Sequence, residues 1–346
     1  MRIRQIELYR GCPVTVQSML SRPAADIAGN VAQAKALEAA GCDIVRVAVP
    51  DKAAVALIPA LRGAVAMPVV ADIHFDAQLA IEAVAAGADK IRINPGNLGG
   101  QDKLGRVAAA CRAAGIPIRV GVNAGSLEKE LLKKYSRPSP EALCDSALQN
   151  AALLEQCDFH DICLSLKSSD VADTVAAYEL AAARCDYPLH IGITEAGTLH
   201  MGLIKSAAGL GALLLRGIGD TLRVSLTADP VEEVYAALDL LRALGLRRDR
   251  PNLIACPTCG RTAIDLTRIA AEVEQRLRDV HAPLTVAVMG CAVNGPGEAH
   301  EADVGLAGGD GKALLFAKGA PLYTVDEAHC VDALMEEVRR ITEEKK

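Results

Sequence analysis

The chain has 346 residues, 51% of them apolar, with 11 cysteines, no tryptophan and a formal net charge of -6. That length allows one large domain and a small one, and no apolar run is long enough to span a bilayer as a helix. Net acidity without a basic run or interleaved aromatics argues against nucleic acid as a partner, and the charged start Met1-Arg2-Ile3-Arg4-Gln5 shows no secretory signal, so a cytoplasmic location is expected.

Eight short apolar runs follow one another along the chain: Pro13–Ser18, Asp43–Val49, Pro68–Ile73, Lys90–Asn94, Pro117–Val122, Asp161–Leu166, Pro188–Ile193 and Thr221–Leu226. Helical stretches rich in Ala and Leu separate them, among them Ile27–Ala40, Ala77–Ala86, Lys103–Ala114, Pro140–Gln156, Val171–Arg184 and Val231–Leu244. Gly41, Gly87 and Gly115 sit where helix ends favour glycine. Eight β-α units in about 230 residues predict a (β/α)8 TIM barrel, with a doubly wound open sheet as the alternative. Glu128–Tyr135 and Ser136-Arg137-Pro138 predict an extra helix and loop after the fifth strand. The run Gly209-Leu210-Gly211 to Gly217-Ile218-Gly219 fits no phosphate-loop spacing and predicts helix packing and a turn.

Polar residues gather at or just beyond the carboxyl ends of these strands: Arg46, Asp72, His74, Arg92, Asn94, Arg119, Asn123, Lys167, Glu195, Arg223 and Ser225. Barrel active sites are assembled there. Four arginines and a lysine facing one space repel one another without a polyanion, which predicts a phosphorylated ligand.

After the polar linker Arg247–Pro251 a second α/β module begins, with a helix over Thr262–Val280, strands at Leu284–Val288, Ala302–Leu306 and Ala313–Ala317, and a closing helix from Asp326 to about Thr342. The expected domains are 1–246 and 247–346. Eight cysteines lie among apolar neighbours and are expected to be small buried hydrophobes. Cys256, Cys259 and Cys291 differ. Cys256-Pro257-Thr258-Cys259 puts two sulfurs on one turn, Cys291 follows 32 positions later, and Glu298 seven after that in an Asn-Gly-Pro-Gly loop. Three thiols and a carboxylate suit an iron–sulfur cluster or zinc, with a redox CxxC or buried thiols as the other readings.

The segments Val16–Met19, Asp43–Val47, Ala71–Phe75, Arg92–Asn97, Gly121–Glu128, Gly192–Gly197, Leu222–Leu226, Cys256–Arg261 and Gly290–Ala299 together resemble the bacterial 4-hydroxy-3-methylbut-2-enyl diphosphate synthases of the non-mevalonate isoprenoid pathway. The resemblance runs over essentially the full chain. It implies a [4Fe-4S] cluster on Cys256, Cys259, Cys291 and Glu298, reductive ring opening of 2-C-methyl-D-erythritol 2,4-cyclodiphosphate, and electrons from a flavodoxin or ferredoxin. Carried over by motif, Arg46, Arg92, Arg119, Lys167 and Arg223 would grip the diphosphate, with Asn94, Asn123 and Ser225 adding neutral hydrogen bonds. Asp72, His74 and Glu195 would stand near the reacting carbons, Glu195 delivering the proton. Two stretches depart from the family's pattern, Thr198–Met201 and Leu20–Pro23, and His200 receives no role.

Topology adds one expectation. The last barrel helix runs away from the mouth, and the 11 residues Gly245–Ala255 span about 36 Å at full extension, barely a barrel's height. The cluster module is therefore expected to cap the barrel of a second subunit, in the head-to-tail two-fold homodimer known for the family.

Overall fold

The computed structural model describes residues 1–291 and 299–344, and the chain divides into two compact units, Met1–Leu244 and Gly245–Lys346. The first opens with a small antiparallel hairpin, β1 (Arg2–Ile3) and β2 (Ile6–Glu7). Parallel strands then alternate with helices: β3 (Thr15–Met19), α1 (Ile27–Ala40), β4 (Ile44–Ala48), α2 (Lys52–Val55), α3 (Leu57–Ala64), β5 (Val69–Asp72), α4 (Ala77–Ala85), β6 (Lys90–Ile93), α5 (Gln101–Ala114) and β7 (Ile118–Asn123). The extra helix α6 (Lys129–Tyr135) precedes α7 (Pro140–Glu155), β8 (Ile162–Lys167), α8 (Val171–Arg184), β9 (His190–Ile191), α9 (Leu199–Leu214), β10 (Thr221–Leu222) and α10 (Pro230–Ala243).

The eight strands β3 to β10 form one sheet in the order β8-β7-β6-β5-β4-β3-β10-β9, and a parallel bridge between Leu164 and Leu189 joins its two edges. This is the expected TIM barrel and not an open sheet. The last two strands are shorter than their apolar runs: only His190–Ile191 and Thr221–Leu222 keep the ladder.

Strand alternation sorts the residues. Val45 and Val47, Ile91 and Ile93, Val120 and Val122, and Leu164 and Leu166 join the apolar layer between sheet and helices. The opposite parity faces the barrel axis. At the amino end one side of that interior is apolar, where Ile44 and Val70 pack with Ile3 and Leu8 of the hairpin region, all at 1% exposure or less, while Lys90, opposite Val70 in register, is buried beside them. Above this plug it turns polar.

The second unit carries a five-stranded sheet, β11 (Asn252–Ala255), β12 (Thr285–Met289), β13 (Val304–Gly309), β14 (Lys312–Ala317) and β15 (Ala320–Asp326), in that order, with helices α11 (Leu266–Leu277) and α12 (Cys330–Glu344). Leu266, Ile269, Val273, Leu334 and Val338 pack those helices on the sheet. The expected helix over Thr262–Val280 starts later, because Asp265 caps it by accepting from Arg268 N–H. Among the described residues no helix is long and apolar enough to cross a membrane. Cys42, Cys111, Cys144, Cys163 and Cys330 are buried, while Cys12, Cys157 and Cys185 are half-buried.

Candidate active site

Inward parity unites the strand-borne polar residues singled out in the sequence. Arg46 lies on β4, Asp72 ends β5, Arg92 lies on β6, Arg119 and Asn123 on β7, and Lys167 ends β8, with Arg223 and Ser225 just past β10. Arg119 sits deepest. It occupies the second position of β7, is 1% exposed, and donates through Nη1 to Gln17 Oε1 at 3.5 Å.

Two carboxylates organise part of this cluster. Arg92 Nη1 donates to Asp72 Oδ1 at 3.1 Å, and Arg46 Nε and His74 Nε2 approach Asp72 Oδ2 at 3.6 and 3.5 Å. Burial alone would push the Asp72 carboxyl up, but Arg46, His74 and Arg92 outweigh it and hold it well below the usual carboxylate range. Glu233, in the first turn of α10 and 3% exposed, takes Arg223 in a fork: Nε to Oε2 and Nη2 to Oε1, both at 3.0 Å. The same carboxylate accepts from Leu226 N–H at 3.0 Å and from Ser18 Oγ–H at 3.2 Å. The Met19 sulfur lies between the two flanks, 2.8 Å from Arg46 Nη2 and 3.5 Å from Arg223 Nη1.

Arg119, Lys167 and Lys90 have no carboxylate in salt-bridge range among the described residues. Burial, then the charges of Arg119, Arg46, Arg223 and Arg92, pushes the Lys167 ammonium's pKa well below its ordinary value. Burial, then Arg92, lowers Arg119 to about 10. Lys90, whose Nζ has no hydrogen-bond partner, is lowered by burial to about 8. The mouth and the chamber below it carry a cationic excess in a dry setting, which an anion would relieve.

Two glycines make the space these cations fill. A Cβ at Gly121 would stand 2.3 Å from Arg92 Nε, and one at Gly192 would stand 2.6 Å from Lys167 Nζ. Gly121, Gly192, Met19, Glu233 and Lys90 were not singled out as site residues in the sequence. Strand parity was the signal that could have found Lys90 beside Arg92. Beyond the strands, His74 (52% exposed) and Glu195 (exposed) stand at loop positions, Glu195 with a φ of 52°, uncommon for a residue with a side chain.

In the second unit, β11 and β12 run parallel with Ala255 opposite Val288. Their carboxyl ends therefore emerge together, Cys256 directly after one strand and Gly290-Cys291 directly after the other. Cys256, Cys259 and Cys291 line one cleft with Arg261 and Thr262. Gly290 N–H donates to Cys256 Sγ at 3.1 Å, and Cys259 N–H donates to Thr262 Oγ1 at 3.1 Å. The backbone N–H of Arg261, with its side chain and Thr262, lowers the Cys259 thiol's pKa. Glu298 lies outside the described residues. Among the described residues no three His, Cys, Asp or Glu side chains are gathered as an ion's ligand set. The donors nonetheless suit a cluster: soft thiols on one cleft edge, with N–H groups aimed at sulfur.

The family model described as the GcpE TIM-barrel domain matches residues 1–238, and that of the GcpE protein C-terminal domain matches residues 252–340. A curated relative from Caldanaerobacter subterraneus subsp. tengcongensis is 54% identical over 333 residues, covering 96% of this chain and 94% of its own. One from Geobacter sulfurreducens is 54% identical over 344 residues, covering 99% and 98%. Both are named 4-hydroxy-3-methylbut-2-en-1-yl diphosphate synthase (flavodoxin). Among solved structures, the Yersinia pestis dihydropteroate synthase with a sulfonamide drug aligns at a TM-score of 0.50 and 15% identity, covering 71% of this chain and 99% of its own, a likeness of fold alone. With matches across both of its units and more than half of its residues shared with full-length relatives, the chain belongs to the GcpE family.

Proposed function

We propose that the chain is an oxidoreductase that reductively opens 2-C-methyl-D-erythritol 2,4-cyclodiphosphate and expels a hydroxyl, yielding 4-hydroxy-3-methylbut-2-enyl diphosphate for isoprenoid synthesis. The observation that carries this reading is the charge imbalance in the barrel. Asp72 and Glu233 engage Arg46, Arg92 and Arg223, while Arg119 and Lys167 remain without a carboxylate. A doubly anionic diphosphate supplies what they lack. Arg119 and Lys167 hold its charge, Arg46, Arg92 and Arg223 orient it, and Asn94, Asn123 and Ser225 add neutral contacts.

Proton handling follows from the same geometry. Asp72 stays ionised and its oxygens are engaged by Arg46, Arg92 and His74, so it orients its neighbours and gives no proton. The departing hydroxyl must be protonated to leave as water. Exposed Glu195 is assigned that transfer, with His74 held toward the reacting carbons by Asp72. Cys256, Cys259 and Cys291, with Glu298 as fourth ligand, would hold a [4Fe-4S] cluster, which when bound supplies the two electrons the ring opening consumes. The relatives' printed name supports a flavodoxin as donor.

The short linker after α10 supports a head-to-tail dimer in which each cluster module serves its partner's barrel. Full activity of a monomer at nanomolar concentration would refute that arrangement. The activity is tested by anaerobic reconstitution. Brown protein with about four iron and four sulfide per chain, turning over the cyclic diphosphate with a chemical reductant, is expected. Colourless protein binding one zinc, with no turnover, would overturn it.

A further inference from the structure

Asn94 opens the loop after β6 and Asn123 ends β7, and a polar chain ties the loops that follow these strands together. Asn94 caps the short turn Pro95–Asn97, its Oδ1 accepting from Gly96 N–H at 3.2 Å. The same N–H donates to Asn150 Oδ1 on α7 at 2.9 Å. Asn150 Nδ2 in turn donates to Glu128 Oε1 at 2.8 Å, and Ser146 Oγ–H donates to Glu128 Oε2 at 2.7 Å. Glu128 directly precedes α6, on the loop that starts at Asn123. Asn150 and Ser146 are 3% and 0% exposed. A Cβ at Gly96 would crowd Glu128 Oε1 at 3.2 Å, so this close approach depends on glycine.

Donor and acceptor chemistry fixes the orientation of the Asn150 amide. A carboxylate only accepts, so Asn150 must turn its amino group to Glu128 and its oxygen to Gly96. Gly96 N–H shares its one hydrogen between Asn150 Oδ1, the closer acceptor, and Asn94 Oδ1, so Asn150 anchors the turn at Gly96 and Asn94 folds its oxygen over the same N–H. Its Nδ2 has no acceptor among the described residues, and the amide presents donors only. A donor is what an anion requires.

We propose that Glu128 and Asn150 form a positioning relay that holds Asn94 as a hydrogen-bond donor for the diphosphate and locks the β6 and β7 loops to one another. This rests on the cyclic diphosphate reading above. Neither residue is catalytic; both act through Asn94.

The relay can be tested by inverting it. Asn150→Asp keeps an acceptor for Gly96 but sets one carboxylate against another. Adding Glu128→Gln restores the bond between residues 128 and 150 with donor and acceptor exchanged, since the new amide donates to the new carboxylate and still accepts from Ser146; the bond that Asn150 Nδ2 donates to Ser146 O at 2.9 Å is lost in both variants, so the difference between them reads the 128–150 bond alone. Steady-state turnover of the cyclic diphosphate by the reconstituted full chain is the assay. Asn150→Asp is expected to raise KM about tenfold with kcat within about twofold, the worth of one hydrogen bond to a charged ligand. Its KM should recover as pH falls, because one proton shared by two carboxylates re-forms the bond. The double variant should return to within about threefold of the parent. A parental KM in Asn150→Asp, or a double variant no better than the single, overturns the relay. If Asn150→Asp does not fold, the double variant is read against Asn150→Leu, which lacks every bond at position 150: a KM near the parent's supports the relay, and a KM no better than that of Asn150→Leu refutes it. Absence of turnover in the parent would instead remove the diphosphate reading itself.

Discussion

Lys90 offers the most direct test of the barrel's electrostatics. It is fully buried, its Nζ has no partner, and burial is the first cause of a pKa near 8 against an ordinary 10.5. A lysine that loses its proton that early is charged in the folded state at a cost of about 3 kcal/mol. Lys90→Met keeps most of the apolar stem and removes the ammonium, so it should stabilise the chain at pH 7 by about 1–3 kcal/mol. The sign against pH follows from linkage. Below pH 8 the lysine is protonated folded and unfolded, and the cost is fully present. Between about 8 and 10.5 the folded chain has released its proton while the unfolded chain keeps it, so the parent gains stability as pH rises. The advantage of Lys90→Met should therefore shrink across that window and vanish above it. Urea unfolding followed by far-ultraviolet circular dichroism at pH 7, 8, 9 and 10 measures the difference. A variant less stable than the parent at pH 7, or a difference flat from pH 7 to 10, would refute the reasoning.

Three further outcomes follow. Gly121→Ala puts a methyl 2.3 Å from Arg92 Nε and should weaken cyclic diphosphate binding at least about tenfold in calorimetry, with the circular dichroism spectrum unchanged. Diphosphate affinity should fall with rising pH at a lower pH than an ordinary lysine would allow, because burial and its arginine neighbours depress Lys167; Lys167→Met should bind weakly and without that pH dependence. Glu233→Gln leaves Arg223 a single neutral acceptor and should cost about 2–3 kcal/mol of stability, seen as a lower urea midpoint, while raising KM more than it lowers kcat.

The barrel was legible because its strands are short, apolar and evenly spaced, and because arginines recur at the inward parity where an ordinary barrel has Val, Ile or Leu. The CxxC and Cys291 were legible as a set by residue type, though only the parallel pairing of β11 with β12 explains how a gap of 32 positions closes. Other features left weaker traces. β15 is exposed along almost all its length, so it has no apolar alternation to betray it. The amino-terminal hairpin has two-residue strands, and its role shows only once Ile3 and Leu8 are seen against Ile44 and Val70. Thr262, which the helical pattern of α11 includes, spends its hydroxyl on the Cys259 turn, and Asp265 becomes the cap. Glu233 looks like any acid in a first helical turn, where acids suit the dipole.

Glu233 also changes how the cations divide. Counted in sequence, Arg46, Arg92, Arg119, Lys167 and Arg223 are equivalent, and each could be assigned to a phosphate. In the fold they are not. Three are held by carboxylates that fix their geometry and cancel most of their charge, so their value to an anion is directional. Arg119 and Lys167 lack a carboxylate in a dry interior, where burial depresses the proton affinity of both, and nearby arginines depress it further, Arg92 acting on Arg119 and Arg119 first among those acting on Lys167. Below the cluster Ile3 and Leu8 pack on Ile44 and Val70, and glycines in β7 and just past β9 leave the space the cationic side chains fill. The hairpin contacts, Gly121, Gly192 and Glu233 thus belong to one arrangement: a barrel interior in which basic side chains outnumber the carboxylates that hold them.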